Sequence, residues 1–555
     1  MWQPPESGPS SHLEPPAEEG AAAQARSASE WVFCVCKTHL LALSAWRQER
    51  QSLMSAHQQS WCFTIDKLKT KMTERLPTLD DYAGLKITVL GLGTFGGGVG
   101  AARFLAERGA NVTITDSRTE AELSESIAQL DGMSINRCFW GGHPAEAFRN
   151  ADLLVVNPAV PPDSDVVEQC RSAGTMITSE IELFLHHFRG KIIAVTGSNG
   201  KSTTTSLVHR LLVPQAQAVG FAVALGGNIG TSLLPLVNDF NSEDIAVLEL
   251  SSFQLASLQR SNFAPWIAVM TNFSPNHLDW HGNIAHYRAA KQVVFSRQRM
   301  TDIAIFSDET PDDDESESGG PPSAPPDWRV RGRRMCFGLN DTGEDGVFVD
   351  SGSLILRDGD REDAIRLHAP SALPGDHNAR NIAAAACAAW VAGADPLTFA
   401  ASLNSFEPLP HRLQRVAEGK GIAYYNDSVA TTPESSIAAL QTMTQPTVIL
   451  AGGADKGVDL SQFADAIKQN AVAAVLMGET AGQLSSLLAA PSEATSLLTV
   501  EIASDFADAF ARAVALVPEG GIVLLSPGCS SYGWFRDYRE RGEQFTEMAK
   551  TWISS

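Results

Sequence analysis

Residues 191–212 read KIIAVTGSNGKSTTTSLVHRLL, an apolar run that passes through a glycine-bounded turn into a helical pattern. β-Branched side chains at Ile192, Ile193 and Val195 favour a buried strand. A turn of this kind between strand and helix presents backbone N–H groups, and the positive end of the helix dipole, to an anion. Lys201 at the helix start suits β- and γ-phosphate oxygens, and the Ser202 hydroxyl suits a magnesium ion. A plain turn needs the glycines but not Lys-Ser, so Gly197, Ser198, Asn199, Gly200, Lys201, Ser202 and Thr203 are the expected contacts to a nucleotide triphosphate. The loop is shorter than the usual eight-residue Walker pattern.

The same grammar recurs on both sides. Upstream, LKITVLGLG runs into the turn Gly91-Leu92-Gly93-Thr94-Phe95-Gly96 and the helical pattern AARFLAERGA, with Asp116 closing the next strand, NVTITD. Alone, this is a dinucleotide fingerprint and supports an NAD-dependent oxidoreductase, although any diphosphate, including that of a UDP-sugar, suits the same turn. Downstream, IAVLEL and IAVMTNF alternate with helices, the acidic, Pro/Gly-rich stretch 308–327 reads as an exposed insertion, and TVILAGG, AVLMG and GIVLLSP restart the alternation after PLPHR. The expected architecture is α/β with three domains: Rossmann-like over 79–189, a central P-loop ATPase-type parallel sheet over 190–406, and a second Rossmann-like domain over 407–555. Residues 1–78 lack this grammar and read as a disordered extension with one helix around 38–60.

Composition narrows the function classes. A formal charge of -22 repels phosphate backbones over most of the surface, so nucleic acid is not the expected partner and any phosphate site must be local. Eight scattered cysteines fit a reducing cytoplasm better than a disulfide scaffold. No stretch reaches the ~20 apolar residues that cross a bilayer, so no membrane partner is expected.

Three further groups suit a magnesium site. Glu249 ends the strand IAVLEL, where carboxylates face the ligand crevice of α/β sheets, and it can share a metal with Ser202. His277 and Asp279 lie in NFSPNHLDWH just after the strand IAVMTNF, and Lys291 follows on a helix. Singly, such a His or Lys is more often structural; together, in this order after a phosphate loop, they point to phosphoryl chemistry.

With VTGSNGKSTTT, GGNIG (226–230), LELSSFQL (248–255), NHLDWH, YRAAK (287–291), GDHNARN (375–381), LPHR, NDSVATTP (426–433) and LLSPGCSSYGWFRDYRERG (524–542), the chain from about residue 79 onward closely resembles the Mur ligases, in particular the D-glutamate-adding branch. The resemblance implies an ADP-forming amide-bond ligase that adds D-glutamate to UDP-N-acetylmuramoyl-L-alanine through an acyl phosphate, in peptidoglycan precursor synthesis. A folate-type glutamate ligase is the nearest relative reading. The resemblance further implies ATP and two Mg²⁺ ions, with Ser202, Glu249, His277 and a carbamylated Lys291 as metal ligands, and Lys201, His277, Lys291, Asn228 and Glu249 as the catalytic set. Asn378, Asn381, Arg412 and Asp427 belong on the ATP side. Gly93, Thr94, Asp116 and Arg118 belong to the UDP-substrate, and Lys456, Ser531, Tyr538 and Thr431 to D-glutamate. The implied enzyme is a cytoplasmic monomer whose partners are small molecules. Three positions depart from the family pattern: Val429 replaces the usual Lys, Gln414 an acid, and Tyr538 a Phe.

Overall fold

The computed structural model describes residues 76–78, 81–274, 276–308, 328–339, 341–367, 373, 375–455, 457–489 and 498–555. The expected extension through residue 75 with its helix around 38–60, the insertion from 309 to 327, and Lys456 lie outside these residues. Pro77–Ser555 form one compact unit, to which everything below refers.

Three sheets follow one another along the chain. The first holds β1 (Lys86–Leu90), β2 (Asn111–Asp116), β3 (Ile135–Trp140), β4 (Leu153–Val156) and β5 (Met176–Thr178), all parallel, in the order β3-β2-β1-β4-β5. Its inner strands are near-continuous apolar runs because helices cover both faces; Ile87, Val89, Leu90, Val112, Ile114 and Leu154 are buried.

The second sheet comprises β6 (Lys191–Thr196), β7 (Val223–Gly227), β8 (Ile245–Glu249), β9 (Ile267–Met270), β10 (Ile303–Ser307), β11 (Arg333–Gly338), β12 (Gly346–Asp350), β13 (Ser353–Asp358) and β14 (Arg361–Arg366). The order is β14-β13-β12-β11-β10-β9-β6-β8-β7. Since β6 sits between β8 and β9, the turn that leaves it opens into the crevice between two diverging connections, where open α/β sheets bind ligands. Helices Lys201–Val219 and Asp376–Val391 share the core under this sheet, where Leu207, Val208 and Leu211 meet the small side chains Ala383–Ala386. Strands β12–β14 form an antiparallel meander that the periodic reading did not anticipate. Its cause is local: Ser351 and Gly352 both take positive φ, 45° and 77°, as the two-residue type I′ hairpin turn requires.

The third sheet runs β15-β16-β20-β17-β18-β19 and is parallel apart from the edge strand β15. Its strands are β15 (Gln414–Gly419), β16 (Ile422–Asn426), β17 (Thr447–Ala451), β18 (Ala473–Leu476), β19 (Thr499–Ile502) and β20 (Ile522–Leu525). Because β16, β20 and β17 are parallel neighbours, the segments NDSVATTP, SPGCSS and AGGADKG all leave the same edge of the sheet. Among the described residues no helix is long and apolar enough to cross a membrane.

Candidate active site

The turn after β6 is braced on every side. Ser198 Oγ donates to the Ser274 carbonyl at 2.7 Å, accepts the Ser274 N–H at 2.9 Å, and lies 2.9 Å from the Tyr287 hydroxyl. Asn272, just beyond β9, accepts the Asn199 N–H through Oδ1 at 2.8 Å and donates Nδ2 to the Asn199 carbonyl at 3.2 Å. Gly197 has φ 152°, and a Cβ there would lie 1.8 Å from Thr271 Oγ1, so the close approach of the two strand ends demands glycine. These bonds fix the turn before any ligand arrives, which removes the ordering cost that a flexible loop would add to binding.

Into this frame point two amines and one carboxylate. Lys201 Nζ donates to the Ser198 carbonyl at 2.8 Å. Lys291 is only 1% exposed; its Nζ donates to the Gly197 carbonyl at 2.7 Å and lies 4.8 Å over the face of Tyr287, one helical turn earlier. Burial, more than any neighbouring charge, pulls both amines below the usual lysine range, and pulls Lys291 well below it. The Lys201 charge adds to the effect on Lys291, and the Glu249 carboxylate opposes it on both. Glu249 is 2% exposed at the end of β8; its Oε1 accepts from Asn228 Nδ2 at 2.9 Å, while its Oε2 is buried with no hydrogen-bond partner among the described residues. A buried carboxylate oxygen without a donor is costly, and a cation in the crevice is the natural remedy.

Further groups converge from elsewhere. Asn381 Oδ1 accepts from Thr204 Oγ1 at 3.2 Å and packs against Gly200, and Asn381 Nδ2 donates to Asn378 Oδ1 at 3.3 Å. From the third sheet's unit, Arg412 Nη2 donates to Ser202 Oγ at 3.2 Å, and Ser435 Oγ lies 3.3 Å from Asn199 Oδ1. His411 and Leu413, on either side of Arg412, take positive φ of 63° and 42°. This strained segment is held by Asp427 Oδ1, which accepts the Leu413 N–H at 2.9 Å, and by Gln414 Oε1, which accepts the His411 N–H at 3.1 Å. Burial raises the Asp427 carboxyl to about 6 even though Ser526, Leu413, Arg412 and Arg541 all favour its charged form. His277 is exposed at the rim with φ 54°, its ring 4.8 Å from Phe253. Among the described residues no group of three His, Cys, Asp or Glu side chains is poised for a metal, so any cation here rests on a mixed donor set.

The other expected sites fall in two places. At the turn after β1, Asp116 Oδ2 accepts the Gly93 N–H and Oδ1 the Arg118 N–H, each at 2.9 Å; Arg118 Nη1 is 3.5 Å from Thr94 Oγ1. At the third sheet's edge, Ser531 is buried, the Thr431 N–H donates to the Val429 carbonyl at 2.9 Å, and the Tyr538 carbonyl accepts from Ser428 Oγ at 2.7 Å.

Thus Lys201, Ser202, Glu249, Lys291, Asn228, Asn381 and Arg412 come together, while the Asp116 and Ser531 groups form separate clusters. Sequence reasoning passed over Asn272, Tyr287, Ser435 and Asn157, whose Nδ2 donates to the Gly91 carbonyl at 3.3 Å. Tyr287 had a legible signal, since it lies four residues before Lys291 and therefore on the same helical face.

Three family models match in order: a MurD-like N-terminal domain over residues 85–179, a Mur ligase middle domain over 195–318, and a Mur ligase glutamate ligase domain over 411–529. The UDP-N-acetylmuramoylalanine--D-glutamate ligase of Pelotomaculum thermopropionicum is 33% identical over 470 residues, covering 85% of this chain and 98% of its own. Its namesake in a Roseiflexus species is 37% identical over 481 residues, covering 84% and 99%. In fold, the chain is similar to the crystal structure of the UDP-N-acetylmuramate-alanine ligase MurC of Thermotoga maritima, with a TM-score of 0.54 at 18% identity over 84% of this chain and 99% of that one.

Proposed function

The chain belongs to the Mur ligase family, and from that premise we propose that it joins D-glutamate to UDP-N-acetylmuramoyl-L-alanine at the expense of ATP in peptidoglycan precursor synthesis, as the names of its relatives suggest. One observation carries the reading: the buried convergence of Lys201, Lys291 and the half-satisfied Glu249 on a rigid turn that offers backbone N–H groups. A dinucleotide oxidoreductase has no use for that group.

The chemistry follows from the substrate. A carboxylate is a poor electrophile, so the terminal carboxylate of UDP-N-acetylmuramoyl-L-alanine takes the γ-phosphoryl group of ATP, and the D-glutamate amine then displaces phosphate from the acyl phosphate. The turn Gly197–Ser202 with Thr203 holds the phosphates, and the Lys201 ammonium spreads the charge that grows on the transferring group. Asn378, Asn381, Arg412 and Asp427 flank the nucleotide. Ser202, Glu249, His277 and Lys291 would hold magnesium, two ions in all, whose role is to screen phosphate oxygens. The orphaned Glu249 Oε2 fits such an ion. Lys291 fits carbamylation: its depressed basicity leaves the neutral amine that reacts with carbon dioxide, and the carbamate nitrogen keeps one N–H for the Gly197 carbonyl. Asn228 orients Glu249.

The UDP part of the substrate lies at Gly93, Thr94, Asp116 and Arg118. D-glutamate lies at Thr431, Ser531, Tyr538 and Lys456. The working units are 79–189, 190–406 and 407–555, in a cytoplasmic monomer. ADP formation measured with UDP-N-acetylmuramoyl-L-alanine and a panel of amino acids tests the reading: D-glutamate gives the highest kcat/KM, and a preference for L-lysine or diaminopimelate overturns the assignment.

A further inference from the structure

Among the described residues Arg541 is the largest side chain with no solvent exposure at all, and it makes no ion pair there within 4 Å. Burial pulls its guanidinium down to about 10, far enough above neutrality that it stays a cation. Its donors go to oxygens instead: Nε to Ser428 Oγ at 3.0 Å, Nη2 to the Ser428 carbonyl at 2.8 Å, and Nη1 to the Cys529 carbonyl at 3.3 Å. Ser428 Oγ in turn donates to the Tyr538 carbonyl.

Those partners are not scattered. Ser428 lies on the segment after β16 that carries Thr431, Cys529 on the segment after β20 that carries Ser531, and Tyr538 opens the helix Tyr538–Ser554 that carries Arg541 itself. A single rigid, planar guanidinium therefore ties the helix that carries it to two other segments, joining three of the four segments that bear the D-glutamate contacts, and a lysine ammonium, with one nitrogen, cannot reach the same three acceptors. Donation to the Cys529 carbonyl also polarises the peptide that follows it and makes the Ser530 N–H a stronger donor.

We propose that Arg541 is the positioning residue of the amino-acid pocket, holding the Thr431, Ser531 and Tyr538 segments in one register and setting the affinity for the incoming amino acid without touching it. The proposal rests on placing D-glutamate at those three residues.

The test is steady-state kinetics on the full chain with each substrate varied in turn. Arg541→Lys raises KM for D-glutamate about tenfold to a hundredfold, the scale of lost charge-assisted hydrogen bonds in a buried site, while KM for ATP and for the UDP-substrate, and kcat at saturating D-glutamate, stay within about twofold. Ser428→Ala, which removes only the hydroxyl relay to Tyr538, gives a smaller change of the same kind and covers the case of a poorly folded Arg541 variant. Guanidinium ion at millimolar concentration restores part of the D-glutamate affinity of Arg541→Ala. An unchanged KM for D-glutamate, or all three KM values and kcat worsening together, overturns the proposal. A wild-type enzyme that ignores D-glutamate refutes the substrate reading instead, and Arg541 is then judged by the same split on the amino acid that wild type accepts.

Discussion

Gly91–Gly96 and Gly197–Ser202 each leave the C-terminal end of a parallel strand and enter a helix through a glycine in the left-handed region, Gly96 at φ 89° and Gly200 at φ 78°. Their backbones could grip a diphosphate in the same way. Around the first turn, however, the polar groups serve the turn itself: Asp116 spends both oxygens on backbone N–H groups, and Asn157 donates to the Gly91 carbonyl. Around the second stand two buried amines of lowered basicity, a carboxylate oxygen with no donor among the described residues, and side chains from the third sheet's unit. The first surrounding is satisfied and suits binding. The second is electrostatically incomplete, which is what a site needs if it is to respond to charge that develops during a reaction.

The sharpest break between the two turns should come from Lys201→Ala. It is expected to lower kcat for phosphate release by about a thousandfold, in line with removal of a transition-state charge partner, while equilibrium binding of the UDP-substrate at the first turn stays unchanged. A loss of less than tenfold would show that the second turn only binds.

Next in size is a steric contrast. Gly197→Ala forces a Cβ to within 1.8 Å of Thr271 Oγ1, whereas Gly91→Ala forces one only to 2.7 Å from Asn157 Cβ, a smaller overlap. Denaturant unfolding should show the former losing about 2–4 kcal/mol and the latter less. The reverse order would mean that the first turn is the more rigidly built.

Asp427 probes whether the third sheet's unit completes the second turn. Its folded-state value of about 6 lies above the ordinary carboxylate value, so the folded protein holds the proton more tightly than the unfolded chain. The stabilisation from that extra affinity is fully present below the ordinary carboxylate pKa and disappears as pH climbs to about 6. Above that, the buried charge is a standing cost, and Asp427→Asn should gain about 1–3 kcal/mol at pH 8 by thermal unfolding. The same substitution should raise KM for ATP, and wild-type kcat/KM for ATP should fall below about pH 6. Unchanged stability at pH 8 would mean that the arginines neutralise the carboxylate fully.

The smallest effect is expected at the first turn. Asp116→Asn keeps the shape but weakens the brace, and calorimetry should show UDP-substrate affinity falling about fivefold to tenfold with KM for ATP unaltered.

Much of the architecture was legible because the physics is local. Apolar runs at Ile192–Val195 and Val448–Leu450 read as buried strands, and Lys201-Ser202 after a glycine turn read as a phosphate grip without any tertiary knowledge. The meander β12–β14 escaped because its last strand, Arg361–Arg366, reads REDAIR, four charges in six residues with no apolar alternation, and its turn signal is two residues long. Arg541 escaped for the opposite reason: in the charged run RDYRERG nothing in the spacing separates it from Arg539, which is exposed. Only burial does.

The sequence by itself determined where the strands, turns and helices fall outside the β12–β14 meander, and that Lys201, Ser202, Glu249 and Lys291 are of the right types to handle phosphate and metal. Tertiary structure alone decided that Lys291, 94 residues from Gly197, lies against its carbonyl, that Arg412 reaches Ser202 across 210 residues, and that Arg541 crosses under the segments it joins. The reason is one of range. Propensity and turn chemistry act over a few residues, whereas desolvation, which lowers the basicity of Lys201 and Lys291 and leaves Glu249 Oε2 without a donor among the described residues, exists only once distant strands have closed over those groups.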